Sequence, residues 1–307
     1  MAHRKTLLLL VLATSLMGSS FAVVQMGIRY APPLFLAGLR FSLAGLILAF
    51  GIRQRPHPHD WRLWARVIAI GLLQTTGVMG AIFLSLQTIP AGESAILTFA
   101  NPMLVVVFSA FFLGTRYRAV QWIGAALGLA GVAVAVGIAT SDAWHLHIGV
   151  VYGLASAVFW AVATLLLKRW GPLIDSWVMT AYQMLVGGVF LIGLGALLEG
   201  PHFQITPASI IILVWLVVMA SIVQFGAWFY VLHHEDPARA SAYLFLAPVF
   251  GVVTGWGLLN QPIGVDVVIG TVLIVAAIWL TNRTQTAVGP QGMSLLGAAS
   301  TKAEDHE

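Results

Sequence analysis

The chain has 307 residues, of which 8% are charged and 59% hydrophobic, with a formal net charge of +4. A soluble surface usually needs about a quarter of its residues charged, so lipid must be the solvent for most of this protein. There is no cysteine, which excludes a disulfide framework and any thiolate metal site. On a membrane protein, a basic excess reads as loop charge on one side of the bilayer and not as a nucleic-acid footprint.

Crossing a bilayer takes roughly 20 apolar residues per helix. Hydropathy and helix breakers predict ten spans, at 6–28, 32–52, 64–88, 92–113, 119–139, 147–168, 176–198, 208–232, 238–259 and 262–282. Most connections are short and carry Pro, Gly or charge, as turns between antiparallel helices do. The expected class is therefore all-α and polytopic. The first span resembles a signal peptide at its start, with His3, Arg4 and Lys5, but its apolar run continues through Ile28, beyond a typical leader. The polar stretch 284–307 is expected to be a disordered cytoplasmic tail.

Placing both termini and the even-numbered connections on one side collects thirteen basic residues there, among them Arg4, Lys5, Arg53, Arg55, Arg62, Arg66, Lys168 and Arg169. The opposite side holds Arg29 alone. This asymmetry predicts cytoplasmic termini in an inner membrane and an even number of spans.

The sequence also repeats itself. A shift of 146 residues aligns Gly80 with Gly226, Phe99 with Phe245, Pro102 with Pro248 and Gly124 with Gly270. A shift of 143 aligns Gly45 with Gly188 and Arg40 with Gln183. Two halves are expected, 1–140 and 141–283. Five spans per half is an odd number, so the halves must sit in opposite orientations. Inverted repeats of this kind build secondary transporters with the substrate near the midplane.

Certain motifs carry a family resemblance. Met17-Gly18-Ser19-Ser20-Phe21 in the first span, Leu39-Arg40-Phe41 in the second, Asn101-Pro102 in the fourth and Leu113-Gly114 after it make the chain resemble the drug/metabolite transporter superfamily in its EamA-type branch. Phe159-Trp160-Ala161 and Ala247-Pro248 repeat such patterns in the second half. Architecture and length are similar to the YddG-type exporters of aromatic amino acids. The family commonly has Trp before the first-span Gly, whereas Met17 stands here.

The resemblance implies a central space lined by spans one, three, four, six, eight and nine. The candidate substrate contacts on those spans are Gln25, Thr75, Thr98, Asn101, Trp160, Thr164, Gln224, Trp228, Tyr230 and Tyr243. Aromatic walls with a few polar anchors suit an amphipathic organic solute. Each has a plainer reading, because a lone membrane Ser or Thr usually bonds its own helix and Trp or Tyr near span ends usually form the interfacial belt. Pro102 and Pro248 are candidate hinges for alternating access, with static kinks as the alternative. Arg40 is the one charge deep inside a span. It is expected to be a structural charge satisfied by helix-end carbonyls or loop groups, with a substrate carboxylate as the competing partner.

No carboxylate falls in the middle of a predicted span; Glu93 and Asp266 lie near the start of spans four and ten. That argues against a dedicated cation pump. An intramembrane enzyme would want paired carboxylates or a histidine cluster at one depth, and neither occurs. Nucleotide-binding loops, metal sites and catalytic serine elbows are absent from the sequence, so no cofactor is expected. The expected partners are a small-molecule substrate and the lipid bilayer, with the oligomeric state left open. The function expected is export of small metabolites, amino acids above all. The alternative within the same class is export of drugs or lipophilic cations.

Overall fold

The computed structural model describes residues 2–114, 117–135, 148–234, 244 and 246–283. The expected tail and Tyr243 lie outside the described residues. Among the described residues the secondary structure is helical throughout, without strands. Seven helical stretches are long and apolar enough to cross a membrane, and three shorter apolar helices complete the set.

In chain order, the first span is α1 (Ala2–Gly27) and the second α2 (Pro33–Gly51). The third is composite, with α3 (Trp61–Ile70), a π-helical segment (Gly71–Met79) and α4 (Gly80–Ser85). The fourth is divided into α5 (Ala91–Thr98) and α6 (Asn101–Leu113), and the fifth is α7 (Ala119–Ala135). The second half begins with α8 (Ile148–Trp170) and α9 (Ser176–Leu198). A second π segment (Val218–Val223) separates α10 (Pro207–Val217) from α11 (Gln224–His234). The chain ends in α12 (Leu246–Leu259) and α13 (Val265–Arg283).

The hydropathy boundaries agree with these elements except where the helix is not regular. Span three lies three residues earlier than predicted, at Trp61–Ser85, where Asp60 caps its start by accepting from the Arg62 N–H at 3.1 Å.

The three most extensive helix pairings each join one half of the chain to the other: α2 with α9, α7 with α13 and α1 with α12. Small residues permit these approaches, since lipid supplies no hydrophobic drive between helices and packing must come from close contact. A Cβ at Gly38 of α2 would lie 2.5 Å from the Ile192 amide nitrogen of α9. A Cβ at Gly195 would meet the Phe35 nitrogen at 2.6 Å. The repeat mates Gly45 and Gly188 both sit in this seam, against the backbones of Leu185 and Ser42. Outward-facing side chains such as Phe111, Phe112 and Leu197 are more than three-quarters exposed, as a lipid-facing surface requires.

The α2–α9 pair is clipped at both ends. At one end Glu199 at the C-terminus of α9 accepts from the Leu34 and Phe35 N–H groups that begin α2, at 3.0 and 3.3 Å from Oε2. At the other, Asp175 caps α9 by accepting from Trp177 N–H at 2.9 Å and Val178 N–H at 3.2 Å, and pairs with Arg55 at 3.1 Å. The latter end, with Arg53, Arg55, Arg62, Lys168 and Arg169, is the basic end of the bundle; the former, with Glu93, Glu199 and Asp266, is the acidic end.

Partial burial alone would raise the Asp175 carboxyl, but hydrogen bonds from Val178, Arg55 and Trp177 outweigh it and hold the group below the ordinary aspartate value. A depressed carboxyl contributes stability above the unfolded value of about 3.9 and loses it as pH falls through the still lower folded value. Replacing this cap (Asp175→Ala) is expected to cost about 1 kcal/mol. Thermal unfolding in detergent should show that gap between parent and variant at neutral pH and a closing gap as pH falls below about 3.9. A gap that widens in acid would refute the assignment.

Candidate functional site

The fourth span is interrupted near its middle. Pro102 has no N–H to offer the Thr98 carbonyl, so the regular ladder cannot pass through it. The chain instead tightens, with Ala100 N–H donating to Leu97 O at 3.3 Å and Met103 N–H to Ala100 O at 3.1 Å. Two helices result, where the sequence reading had expected one kinked helix with Pro102 inside it. Pro102 is here in the first turn of α6, a position that tolerates proline well. Pro248 is the third residue of α12 and buried.

Three aromatic rings meet at the break. Phe99 lies between Trp160 of α8, at 5.6 Å between ring centroids, and Phe21 of α1, at 6.1 Å. Asn101 opens α6 two residues after Phe99 and is 7% exposed. Its amide has no hydrogen-bond partner among the described residues, yet it is not sealed from accessible space. Thr98, one residue before Phe99, is fully buried and pairs with the Ser156 hydroxyl of α8 at 2.8 Å.

The other candidates go to different places. Thr164 bonds its own helix through Trp160 O at 2.8 Å. Thr75 is 2% exposed and packs against Gly187 of α9, in the neighbouring seam. Gln224 is 6% exposed with no hydrogen bond among the described residues, and Trp228, one turn on, packs with Leu9 and Leu10 of α1. Tyr230 is 36% exposed. Gln25 is engaged at the acidic end, where its Nε2 donates to Leu86 O at 3.1 Å and Ile89 O at 3.2 Å. The candidates thus separate into Trp160 and Asn101 at the break, Gln224 and Trp228 on α11 with Trp228 against the basic half of α1, and residues committed to helix seams.

Arg40 is 4% exposed and meets the second π segment, with Nη2 donating to Ala220 O at 2.8 Å and Nε to Ser221 Oγ at 3.1 Å. Its partners are mid-helix groups, not the helix-end or loop groups expected from the sequence. A π segment displaces carbonyls from the regular ladder, which leaves acceptors for such a donor. The Ser221 hydroxyl in turn donates to Leu216 O at 3.0 Å. The repeat mate of Arg40, Gln183, lies against Gly71 at the start of the first π segment, and its Oε1 is buried without a partner among the described residues. The two π segments occupy corresponding places in spans three and eight. Sequence reasoning missed them, because inserting one residue into a helix leaves hydropathy unchanged; the single deep charge was the available signal.

An apolar groove of about 460 Å³ runs along the exposed face of α9, lined by Leu185, Val189, Phe190, Gly193 and Leu197. Every one of these side chains is apolar or absent, none belongs to the aromatic group, and Val189, Phe190 and Leu197 are exposed. It is a lipid-facing surface and not the central site.

Ten apolar helical stretches among the described residues, a discontinuous span and two interlocked halves define a polytopic helical membrane protein. The chain belongs to the EamA-like transporter family, whose model matches twice, over residues 4–137 and 147–283. It is similar to the uncharacterized transporter YvbV of Bacillus subtilis (strain 168), at 32% identity over 92% of this chain and 93% of that one. The uncharacterized inner membrane transporter YedA of Escherichia coli (strain K12) is 28% identical over 78% of each chain. A solved crystal structure shares the fold with a TM-score of 0.64 at 23% identity, covering 90% of this chain and 95% of that one.

The pairing of Arg40 and Gln183 with the two π segments generates a contrast between repeat mates. Arg40→Leu strips the donor from two buried acceptors and is expected to cost about 1–3 kcal/mol, read as a lower melting temperature and yield in detergent. Gln183→Met removes an orphaned acceptor and is expected to be neutral or stabilising. Equal losses from both substitutions would show that the π segment does not depend on the guanidinium.

Proposed function

We propose that this protein exports small amphipathic metabolites, amino acids and aromatic ones among them, across the inner membrane by alternating access of its two inverted halves. The observation that carries this reading is the break in the fourth span. It gathers the Phe21–Phe99–Trp160 rings at the interruption and, two residues on from Phe99, leaves the Asn101 amide with no hydrogen-bond partner among the described residues, in a span where a backbone interruption is tolerated only against protein or a water-filled path. Rings offer stacking and apolar area, and the amide offers both a donor and an acceptor to a polar head group. In this reading Gln224 and Trp228 line the continuation of the path toward the basic end, with Tyr230 farther along α11. The break before Pro102, with its repeat mate Pro248 in the first turn of α12, is where the halves rock. The protein binds its solute without chemical change and is not an enzyme.

One feature favours a second reading, export of lipophilic cations. At the acidic end a small cleft holds Glu93 with Trp256 and Gln261, a carboxylate beside an aromatic face. The central group, which has no charge, favours neutral or zwitterionic solutes.

A single aromatic pair is worth about 0.5–1.5 kcal/mol beyond its buried area, so Trp160→Ala is expected to lower transport about two- to twelve-fold without abolishing it. The measurement is uptake of labelled aromatic and aliphatic amino acids, with a lipophilic cation for comparison, into liposomes holding matched amounts of protein. Parent-like uptake of every solute by both Trp160→Ala and Asn101→Leu would move the site elsewhere. Cytoplasmic termini follow from the basic asymmetry. A reporter active only in the periplasm should therefore stay silent when fused after Glu307, and a strong signal would overturn the orientation.

A further inference from the structure

At the acidic end, α1 and two connections from different parts of the chain are held together by two glutamine side chains. Gln25 of α1 binds the turn between spans three and four through the Leu86 and Ile89 carbonyls. Its remaining amide oxygen accepts from Gln261 Nε2 at 2.7 Å. Gln261 follows α12, and its own Oε1 accepts from the Ala91 N–H that begins α5, at 3.1 Å. The two amides therefore join spans one and four of the first half to the turn between spans nine and ten of the second. Asn260 makes this possible. It adopts a left-handed backbone, φ 53°, which asparagine tolerates better than most residues, and turns Gln261 back toward α12, where its N–H reaches Gly255 O at 3.3 Å.

Beneath this bridge spans four and nine are shut against each other by small residues. A Cβ at Gly92 would lie 3.0 Å from Val252, and one at Gly251 would lie 2.6 Å from the Ala95 Cβ. Gly18 of α1 packs on the Ala247 carbonyl and Phe250. The Gly92 and Ala95 contacts lie along α5 between Ala91 at the bridge and Phe99 of the rings, and the Gly18 contact continues the closure past Phe21. A solute at the rings reaches the acidic end only if α5 and α12 part there, and parting them breaks the Gln261–Ala91 bond and pulls Gln261 from Gln25.

We propose that the Gln25–Gln261 amide bridge is the latch that holds the path closed at the acidic end and is released once per transport cycle. Gln25 is then a gating residue and not a substrate contact. The proposal rests on the transport reading above, but its test reads closure directly and needs no transported solute. Hydrogen bonds between neutral partners in a low-dielectric setting are strong enough to bias an equilibrium and weak enough to break on each turnover.

The chain has no cysteine, so one introduced thiol reports a single position. Ala95 is fully buried between the bridge and the rings, and Val67 is fully buried near the basic end. In lipid nanodiscs, where both faces meet the reagent, Ala95→Cys should react slowly with a polar maleimide. Adding Gln261→Ala or Gln25→Leu should speed that reaction about two- to tenfold for each hydrogen bond lost, while Val67→Cys keeps its rate. Gln204→Ala, an exposed amide at the same end, should change neither. Unchanged Ala95→Cys labelling in either folded latch variant would overturn the proposal. So would equal acceleration at Val67→Cys, which would mean general loosening, or failure of both latch variants to fold, which would make the bridge purely structural. If labelling behaves as expected while the solute panel is not transported, the latch stands and the substrate assignment falls.

Discussion

Close backbone contact between the two halves of the chain is the constraint on which this structure depends. Lipid gives no hydrophobic reward for bringing two apolar helices together, so stability has to come from packing and hydrogen bonding. The seam of α2 and α9 meets this demand with glycines at Gly38, Gly45, Gly188 and Gly195, where a larger residue would strike the partner backbone. Because the most extensive pairings cross from one half to the other, neither half could bury its interior helix faces without its mate. The ends of the seam are closed by carboxylates acting as caps, Glu199 on α2 and Asp175 on α9.

Polar groups inside the bundle are placed where the regular helix gives way. The guanidinium of Arg40 meets the displaced carbonyl of Ala220, and the fourth span divides where Pro102 withholds a donor. Such irregularities are costly in hydrocarbon and persist only against protein or a polar path. The aromatic group of Phe21, Phe99 and Trp160 marks the one of these places where side chains from spans one, four and six converge. The π segments differ in kind. One is tied by a charged donor, while the corresponding position on the other side has the orphaned oxygen of Gln183. Duplicated halves have thus kept a backbone irregularity while diverging in how it is satisfied.

The amide bridge of Gln25 and Gln261 adds a different element, since it ties α1 to two turns through side-chain amides and not through packed helix faces. Helix seams built on interdigitated glycines resist separation along their length, whereas two neutral amides can exchange partners at little cost. A bundle that must open at one end without dissolving its seams needs contacts of the second kind.

Sequence alone determined that lipid is the solvent, that ten apolar stretches cross it, that the chain is duplicated and that a family of transporters shares its motifs. These follow from composition, run length and identity, which are properties of the chain read in one dimension. Trp160 and Asn101 were also legible as candidates, because aromatic and amide groups in apolar runs stand out. Tertiary structure decided the rest. Thr75 and Thr98 read like cavity residues but pack into seams, and Gln25 proved to hold turns together, because which side of a helix faces a neighbour depends on the crossing geometry of all the others. The π segments and the division of span four were hidden for the same reason: hydropathy records how apolar a stretch is, and a one-residue change of helical register alters which carbonyl meets which donor without altering a single residue.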